Sequence, residues 1–273
     1  MNNNKWKRYA ALAGVVLLIV VCCLPMVFAF GNGEKSQAMF RAAFGMAILL
    51  PVVLYAMLLV YRLLKKKNKV ENAEVENIIF DVGQVLVKFD WKTYLDGFGF
   101  SSEKNDRIAK AVFLNDIWNE RDRSLYDEQY YIEEMVKNDP GCEKEIRQVM
   151  ERVDETIIPV DYAQTWVKYL KEKGYHVYIL SNYSVDALKH TRSKLPFLKY
   201  TDGAVFSGEV KMIKPEPEIY HTLLERYHLD PDRSVFIDDR KDNCQAAEKL
   251  GIHTILFTSF QQAAKELEKF GVK

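Results

Sequence analysis

The stretch Ile78-Ile79-Phe80-Asp81-Val82 decides the fold of this 273-residue chain. A short apolar run that ends in an acid is typical of a buried strand in a parallel sheet. Further short apolar runs follow along the chain, and segments with a helical spacing of apolar residues separate them. Strands that alternate with helices need crossover connections, so the sequence predicts an α/β fold whose parallel sheet has helices on both faces.

The remaining elements of the predicted sheet follow from the same alternation. The strands are predicted at 175–180, 204–206, 234–237 and 253–257, and the helices at 160–173, 184–194, 215–228 and 242–250. The segment 92–158 differs from the rest because it is charged and aromatic and shows no strand signal. We interpret it as a helical insert above the sheet, with helices near 103–119, 127–138 and 142–155.

Polar residues follow three of the predicted strands. Asp81 ends the first strand, Ser181 and Asn182 follow the second, and Asp238 and Asp239 follow a later one. Ligands of open α/β sheets bind in the crevice beyond the carboxyl ends of the strands. Because those ends meet at one edge of a parallel sheet, we expect these residues to converge on one functional site.

The N-terminal quarter of the chain differs from the rest in charge and hydropathy. Residues 1–70 hold ten Lys or Arg and one acid, which leaves 28 basic and 37 acidic residues in 71–273. Two uncharged runs in this region are each about 20 residues or longer, the length that spans a bilayer. We therefore predict a two-helix transmembrane hairpin with spans near 9–30 and 40–62. A cleaved signal peptide is the alternative interpretation of the first run.

The cations that flank the two runs set the predicted orientation. Basic residues precede the first run and follow the second, and the positive-inside rule then places both ends in the cytoplasm. We thus expect a multi-pass membrane protein that contacts the lipid bilayer and whose α/β domain faces the cytoplasm. The predicted domains are 1–70 for the hairpin, 71–91 with 159–273 for the core, and 92–158 for the insert.

The composition of the whole chain excludes several functional classes. Lys and Arg together number 38, and so do Asp and Glu, so the net charge is zero and argues against a general nucleic-acid binder. The four cysteines lack CxxC spacing and predict neither a zinc site nor a disulfide framework. No feature of the sequence predicts a protein partner.

Four motifs in this order resemble those of the haloacid dehalogenase-like hydrolase superfamily. They are Phe80-Asp81-Val82-Gly83-Gln84-Val85-Leu86, Leu180-Ser181-Asn182, Lys214-Pro215-Glu216-Pro217-Glu218-Ile219-Tyr220 and Phe236-Ile237-Asp238-Asp239-Arg240-Lys241-Asp242-Asn243. Their order and spacing match across 77–258. The resemblance implies a Rossmann-like core, and it implies that the insert is the helical cap found between the first two motifs in one subfamily.

The resemblance also implies a role for each motif. Asp81 is then a nucleophile that forms an aspartyl-phosphate, and Lys214 neutralises charge on the nucleophile and the phosphate. Ser181 and the amide of Asn182 bind the phosphoryl oxygens. The resemblance further implies a Mg²⁺ ion, which suits hard oxygen ligands. The implied ligands are Asp81, Asp238, Asp239 and the carbonyl of Gly83, and Asn243 is a candidate to orient their loop. The expected activity is hydrolysis of a small phosphorylated metabolite.

The sequence departs from the common pattern of the superfamily at Gly83. Most phosphatases of the superfamily carry an Asp there, two residues after the nucleophile, as general acid and base. Losing a general acid typically costs about 10²–10⁴-fold in rate. We therefore expect a preference for substrates with good leaving groups, such as aryl, acyl or sugar 1-phosphates. Asp90 and the cap residue Glu120 are candidates to replace the missing acid.

Two other functions stay open on the sequence alone. One is a catalytically impaired module that binds phosphorylated ligands, which the loss of the acid at Gly83 suggests. The other is a metal-independent 2-haloacid dehalogenase, although the paired acids Asp238 and Asp239 argue against it. Within the insert, the candidates to contact a substrate are Trp118, Arg121, Arg123 and Tyr126.

Overall fold

The computed structural model describes residues 74–272 and parts of the segment before them. The described residues before 74 are 33, 35, 37–41, 44, 45, 49, 52, 53, 55–57, 59 and 60. The chain divides into two units, Met1–Asn72 and Ala73–Lys273. The predicted α/β core and helical insert both lie within the second unit, and their predicted boundaries stay a prediction.

Within residues 74–272, five strands form the parallel sheet that the sequence predicts. The strands are β1 (Asn77–Phe80), β4 (His176–Ser181), β5 (Gly203–Phe206), β6 (Ser234–Asp238) and β7 (His253–Leu256), and a separate pair consists of β2 (Val87–Phe89) and β3 (Ile157–Pro159). The strand order is β5-β4-β1-β6-β7, so β1 lies at the centre between β4 and β6. The α/β fold with a parallel sheet is therefore confirmed.

The helices of the same region fall into an insert and a set of crossovers. The insert contains α1 (Trp91–Asp96), α2 (Ser102–Val112), α3 (Asp116–Arg121), α4 (Glu128–Asn138) and α5 (Glu143–Glu151). The remaining helices are α6 (Asp161–Glu172), α7 (Val185–Thr191), α8 (Ser207–Val210), α9 (Pro217–Tyr227), α10 (Lys241–Lys249) and α11 (Phe260–Lys269). Short 3₁₀ segments lie at Pro140–Cys142, Val153–Thr156, Arg192–Lys194, Pro196–Tyr200 and Pro231–Arg233.

The two faces of the sheet are buried in separate apolar clusters. Phe80 of β1 faces one cluster and contacts Trp166 of α6 with ring centroids 4.7 Å apart. Ile79 faces the other cluster, where Leu223 of α9 also packs. A central strand buried on both faces is predominantly apolar, which explains the run Ile78-Ile79-Phe80. The polar residue of β1, Asn77, is buried with its side chain donating to the hydroxyl of Ser234 at 3.1 Å.

The helical insert has an apolar cluster of its own. The side chains in it include Ile108 of α2, Met135 of α4 and Ile146 of α5, all of them fully buried. The hydrophobic contribution to the stability of the insert therefore comes largely from contacts among its own helices.

Two short strands connect the insert to the sheet and correct the prediction that 92–158 lacks strands. The strand β3, Ile157–Pro159, pairs antiparallel with β2, Val87–Phe89, so the chain enters and leaves the insert along one ribbon. Strands of three residues are too short to show an alternating pattern in the sequence. The predicted helix near 103–119 is also two helices, because the side chain of Asn115 accepts the amide hydrogens of Ile117 and Trp118 and starts α3.

The predicted membrane hairpin is not supported. Crossing a bilayer takes about 20 consecutive apolar residues in one helix. Among the residues that the structure describes, no helix is both long enough and apolar enough to do so. The first predicted span, near 9–30, lies outside the described residues, and the second, near 40–62, is described only in part. On this finding the expected multi-pass localisation facing the cytoplasm is wrong. A run of uncharged residues in the sequence does not by itself establish that these residues form one continuous helix.

We expect Gly203→Ala to destabilise the protein, because a Cβ on Gly203 would overlap the ring of Tyr227. The hydroxyl of Tyr227 accepts the amide hydrogen of Ala204 at 2.9 Å and donates to its carbonyl at 3.0 Å, which fixes the ring. Overpacking of this kind should lower the free energy of unfolding by about 1–3 kcal/mol, measured by urea denaturation. Tyr227→Phe is the control and should cost about 0.5–1.5 kcal/mol. Wild-type stability of Gly203→Ala would contradict the contact.

Candidate active site

The carboxyl ends of the three central strands bring the predicted site residues together. Phe80 pairs with Ile179 of β4 and Ile237 of β6, so Asp81, the residue directly after β1, lies at the shared edge. The amide of Asp81 donates to the carbonyl of Ile237 at 2.9 Å. Ser181 is buried at the end of β4, the strand that lies next to β1 in the sheet. The expected convergence at one edge of the sheet is therefore present.

The ammonium group of Lys214 joins two of these carboxylates. Its Nζ lies 2.8 Å from Oδ1 of Asp81 and 2.7 Å from Oδ2 of Asp238. The side chain of Lys214 is only 1% exposed, so both ion pairs lie away from solvent. Buried charges persist only when they are paired, and this lysine has two partners.

The side chain of Asn182 holds the main chain of Lys214. Its Oδ1 accepts the Lys214 amide hydrogen at 2.7 Å, and its Nδ2 donates to the Lys214 carbonyl at 3.0 Å. Asn182 therefore positions the loop before α9 and, through it, the ammonium group. The expected role of the Asn182 amide in phosphate binding stays a prediction.

Donors from α10 and from the loop before it surround Asp238. The amide of Arg240 donates to Oδ1 of Asp238 at 2.8 Å, and Nδ2 of Asn243 lies 3.0 Å from both carboxylate oxygens. Together with Lys214, these donors engage both oxygens of Asp238. Asn243 therefore contacts both carboxylate oxygens of Asp238, and its expected role in orienting the loop stays a prediction.

Asp81, Asp238 and Asp239 form an acidic cluster in which one carboxylate oxygen from each lies within 4.8 Å of the others. Burial raises the pKa of Asp81 above its ordinary value despite the ion pair with Lys214, and the charge of Asp238 adds to the rise. Burial and then the charges of Asp81 and Asp238 raise the pKa of Asp239 to about 6. Burial acts to lower the pKa of the Lys214 ammonium group, but the negative charges of Asp238 and Asp81 outweigh burial, so the pKa is raised. When all four side chains are ionised, the three carboxylates and Lys214 together carry a net charge of −2. This negative charge favours a bound cation.

Gly83 lies two residues beyond Asp81 and leaves space beside it. A Cβ built on Gly83 would meet only Oδ2 of Asp81, at 4.0 Å, among the described residues. The backbone therefore has room for a side chain at position 83. Lack of space does not explain why this position holds glycine in place of the usual aspartate.

A cavity of about 530 Å³ lies between this edge of the sheet and the helical insert. Asp81, Lys214 and Asp239 are among the residues that line it. Apolar side chains also line it, from the entry ribbon and the insert: Phe89, Phe113, Trp118, Ile132, Met150, Val153 and Ile157. The cavity therefore combines a charged end with largely apolar walls.

Two of the four candidate contacts from the insert line this cavity, namely Trp118 and Arg121. The guanidinium of Arg121 is paired with Glu128 at 2.7 Å and lies over the Trp118 ring, 5.1 Å from its centroid. Arg123 instead forms ion pairs with Glu120 and Glu216, and Tyr126 is exposed.

The comparisons with known proteins agree with this geometry. Residues 75–251 match the family described as haloacid dehalogenase-like hydrolase. The chain belongs to this family. A 104-residue segment is 36% identical to bifunctional epoxide hydrolase 2 of Mus musculus. This match covers 37% of this chain and 19% of that protein. The chain thus matches about a fifth of the length of that relative.

Other relatives of this haloacid dehalogenase-like hydrolase match over more of the chain. The D-ribitol-5-phosphate phosphatase of Bacteroides thetaiotaomicron is 23% identical over 202 residues, which cover 66% of this chain and 90% of that protein. A family enzyme from the same organism was solved in complex with magnesium and inorganic phosphate. It is 25% identical with a TM-score of 0.56, and the match covers 68% of this chain and 96% of that one.

Several acids that line the cavity were not identified from the sequence, and one of them is Asp122. Asp122 follows α3 and lines the cavity together with Asp81 and Lys214. Asp90 and Glu120, the two candidates to replace the acid that is missing at position 83, do not line this cavity. Asp90 caps α1 by accepting the amide hydrogen of Thr93, and Glu120 pairs with Arg123. The charged run 120–123 hinted at a functional turn, but the sequence does not tell which of its side chains faces the cavity.

We expect Lys214→Met to destabilise the protein, because it leaves Asp81 and Asp238 buried without their cation. Loss of one partner from a buried charge network should lower the free energy of unfolding by about 3–5 kcal/mol near neutral pH, measured by urea denaturation. The loss should shrink as the pH falls, because protonation removes the repulsion between the two carboxylates.

The matched control for this change is Lys168→Met. The Lys168 ammonium is half-exposed and lies 3.5 Å from Glu172, so its removal should change the free energy of unfolding by no more than about 0.5 kcal/mol. Equal stability of the two variants would contradict a buried charge network at Lys214.

Proposed function

We propose that this protein is a Mg²⁺-dependent phosphatase that hydrolyses a small phosphate monoester through an aspartyl-phosphate on Asp81. The observation that carries the proposal is the buried Lys214 ammonium, which lies within 2.8 Å of carboxylate oxygens of Asp81 and Asp238 at the edge of the sheet. The magnesium and phosphate bound to the related Bacteroides thetaiotaomicron enzyme support the same chemistry here.

The geometry gives each protein group a part in the proposed reaction. A carboxylate oxygen of Asp81 attacks phosphorus, a bond from phosphorus to Asp81 forms, and the bond to the leaving oxygen breaks. Lys214, which forms an ion pair with Asp81, and Ser181, at the end of the neighbouring strand, would stabilise the negative charge of the phosphoryl group. Water then attacks phosphorus, the bond to Asp81 breaks, and inorganic phosphate is released.

The acidic cluster fits a hard divalent cation. Mg²⁺ prefers carboxylate and carbonyl oxygens, and the cluster offers three carboxylates within 4.8 Å of one another. Since Lys214, Arg240 and Asn243 engage both oxygens of Asp238, we assign the more direct ligand roles to Asp81, Asp239 and the carbonyl of Gly83. When bound, the ion would neutralise charge on the phosphoryl oxygens.

The helical insert, which we propose to be the cap spanning 92–158, would select the substrate. Its apolar residues Trp118, Ile132 and Met150 line the wall of the cavity, so they favour an ester whose leaving group has an apolar face. The expected preference for good leaving groups, such as sugar 1-phosphates, follows from Gly83. This preference applies when no other acid in the cavity protonates the leaving oxygen.

Asp81→Asn should abolish phosphate release, because an amide oxygen is a poor nucleophile. We expect the rate of release from 4-nitrophenyl phosphate with Mg²⁺ to fall by at least about 10³-fold. Asp242→Asn is the matched control, since Asp242 is exposed on α10 and should leave the rate unchanged. Activity that survives in Asp81→Asn would remove the proposed nucleophile.

Chelation should also abolish phosphate release, because the acidic cluster without a cation repels a phosphate dianion. We expect EDTA to reduce release to background and excess Mg²⁺ to restore it. Phosphate binding without release, in the presence of Mg²⁺, would favour the impaired binding module. Chloride release from 2-chloropropionate that persists in EDTA would favour the metal-independent dehalogenase.

A further inference from the structure

Hydrogen bonds to the core fix the loop that follows α3. The Ser207 hydroxyl, at the end of β5, donates to the carbonyl of Asp122 at 2.6 Å. The amide of Val185, at the start of α7, donates to the hydroxyl of Ser124 at 2.9 Å, and the ammonium of Lys211 donates to the Ser124 carbonyl. The backbone around Asp122 is therefore held from both sides at the carboxyl edge of the sheet.

Close packing and an ion pair add to these hydrogen bonds. A Cβ on Gly208 would lie 2.8 Å from the hydroxyl of Ser124, so only glycine allows the loop to approach this closely. Arg123 forms a two-pronged ion pair with Glu216, two residues from Lys214. Three successive residues of the loop thus contact the core, although the loop belongs to the helical insert.

These contacts hold the Asp122 side chain in the cavity that also exposes Asp81 and Lys214. The charged groups that act on it are Arg121 from α3, Glu128 from α4, and Asp81 and Lys214 from the core. The main chain of Asp122 makes the contact with the core, which leaves the carboxyl group available for a ligand in the cavity.

Resting on the proposed phosphatase activity, we propose that Asp122 is the general acid and base of the reaction, in place of the acid missing at Gly83. The protonated carboxyl of Asp122 gives its proton to the leaving oxygen as the bond from that oxygen to phosphorus breaks. The resulting carboxylate then takes a proton from the water that attacks the aspartyl-phosphate, which returns Asp122 to its starting form.

The electrostatic surroundings of Asp122 suit this exchange. Burial raises the pKa of Asp122 to about 7, with Arg121 opposing the rise and the charge of Asp81 adding to it. A carboxyl group with a pKa near the working pH exists in both forms and can therefore give and accept a proton within one cycle. An ordinary exposed aspartate is almost fully ionised at neutral pH and cannot act as the acid.

The test compares two esters that differ in how much they need an acid. In the full-length protein with Mg²⁺, we expect Asp122→Asn to lower kcat/KM for phenyl phosphate by about 10²–10⁴-fold. For 4-nitrophenyl phosphate the decrease should be at most about tenfold, because nitrophenolate leaves without a proton. The same variant should show a burst of nitrophenol followed by slow turnover, since the base for hydrolysis of the intermediate is missing.

Three further variants make the result specific to this carboxyl group. Glu120→Gln, in the same charged run, should leave both esters at wild-type rates. Gly83→Asp should restore phenyl phosphate turnover in the Asp122→Asn background, because position 83 has room for a side chain. Asp122→Ser gives an independent measurement with a smaller side chain that cannot serve as an acid.

The possible outcomes separate this inference from the proposed function. Equal losses for the two esters, or no loss for either, would overturn the role of Asp122 while the wild-type activity still supports the phosphatase. If the wild-type protein released phosphate from neither ester, the proposed function would fail and the role of Asp122 with it.

Discussion

The buried ammonium group of Lys214 is the interaction on which the rest of the site depends. Burial of Asp81 or Asp238 alone would cost several kcal/mol, because a carboxylate loses its hydration in the protein interior. The Lys214 ammonium, 2.7–2.8 Å from an oxygen of each carboxylate, offsets that cost. It thereby allows the end of β1, the end of β6 and the loop before α9 to pack against one another. The central position of β1 between β4 and β6 then determines where Asp81 lies.

The parts of the fold that were predictable from the sequence are those with a local signal. The continuous apolar run before Asp81 identified the central strand, because a strand buried on both faces is predominantly apolar. The convergence of Asp81, Ser181 and Asp238 followed from the rule that parallel strands end at one edge. The sequence therefore placed Asp81, Asp238 and Asp239 at one edge of the sheet, whereas the acid Asp122 was not identified.

The remaining features depend on contacts between distant residues and left no local signal. For Asn182 we expected only a backbone amide that binds phosphate, whereas its side chain binds the backbone of Lys214, 32 positions later. Asp122 was overlooked beside two arginines, because only the docking of its loop on Ser207 shows which side chain enters the cavity. The membrane hairpin was inferred from the length of two uncharged runs, but among the described residues no helix is long and apolar enough to cross a bilayer.

The ion pair between Arg123 and Glu216 ties substrate access to catalytic alignment. Any movement that lifts the insert away from the sheet to admit an ester separates these two side chains, and Glu216 belongs to the same loop as Lys214. Opening therefore removes a restraint from the segment that carries the ammonium group. If the insert opened and closed at this ion pair, the loop that carries Lys214 would be fully restrained only in the closed form.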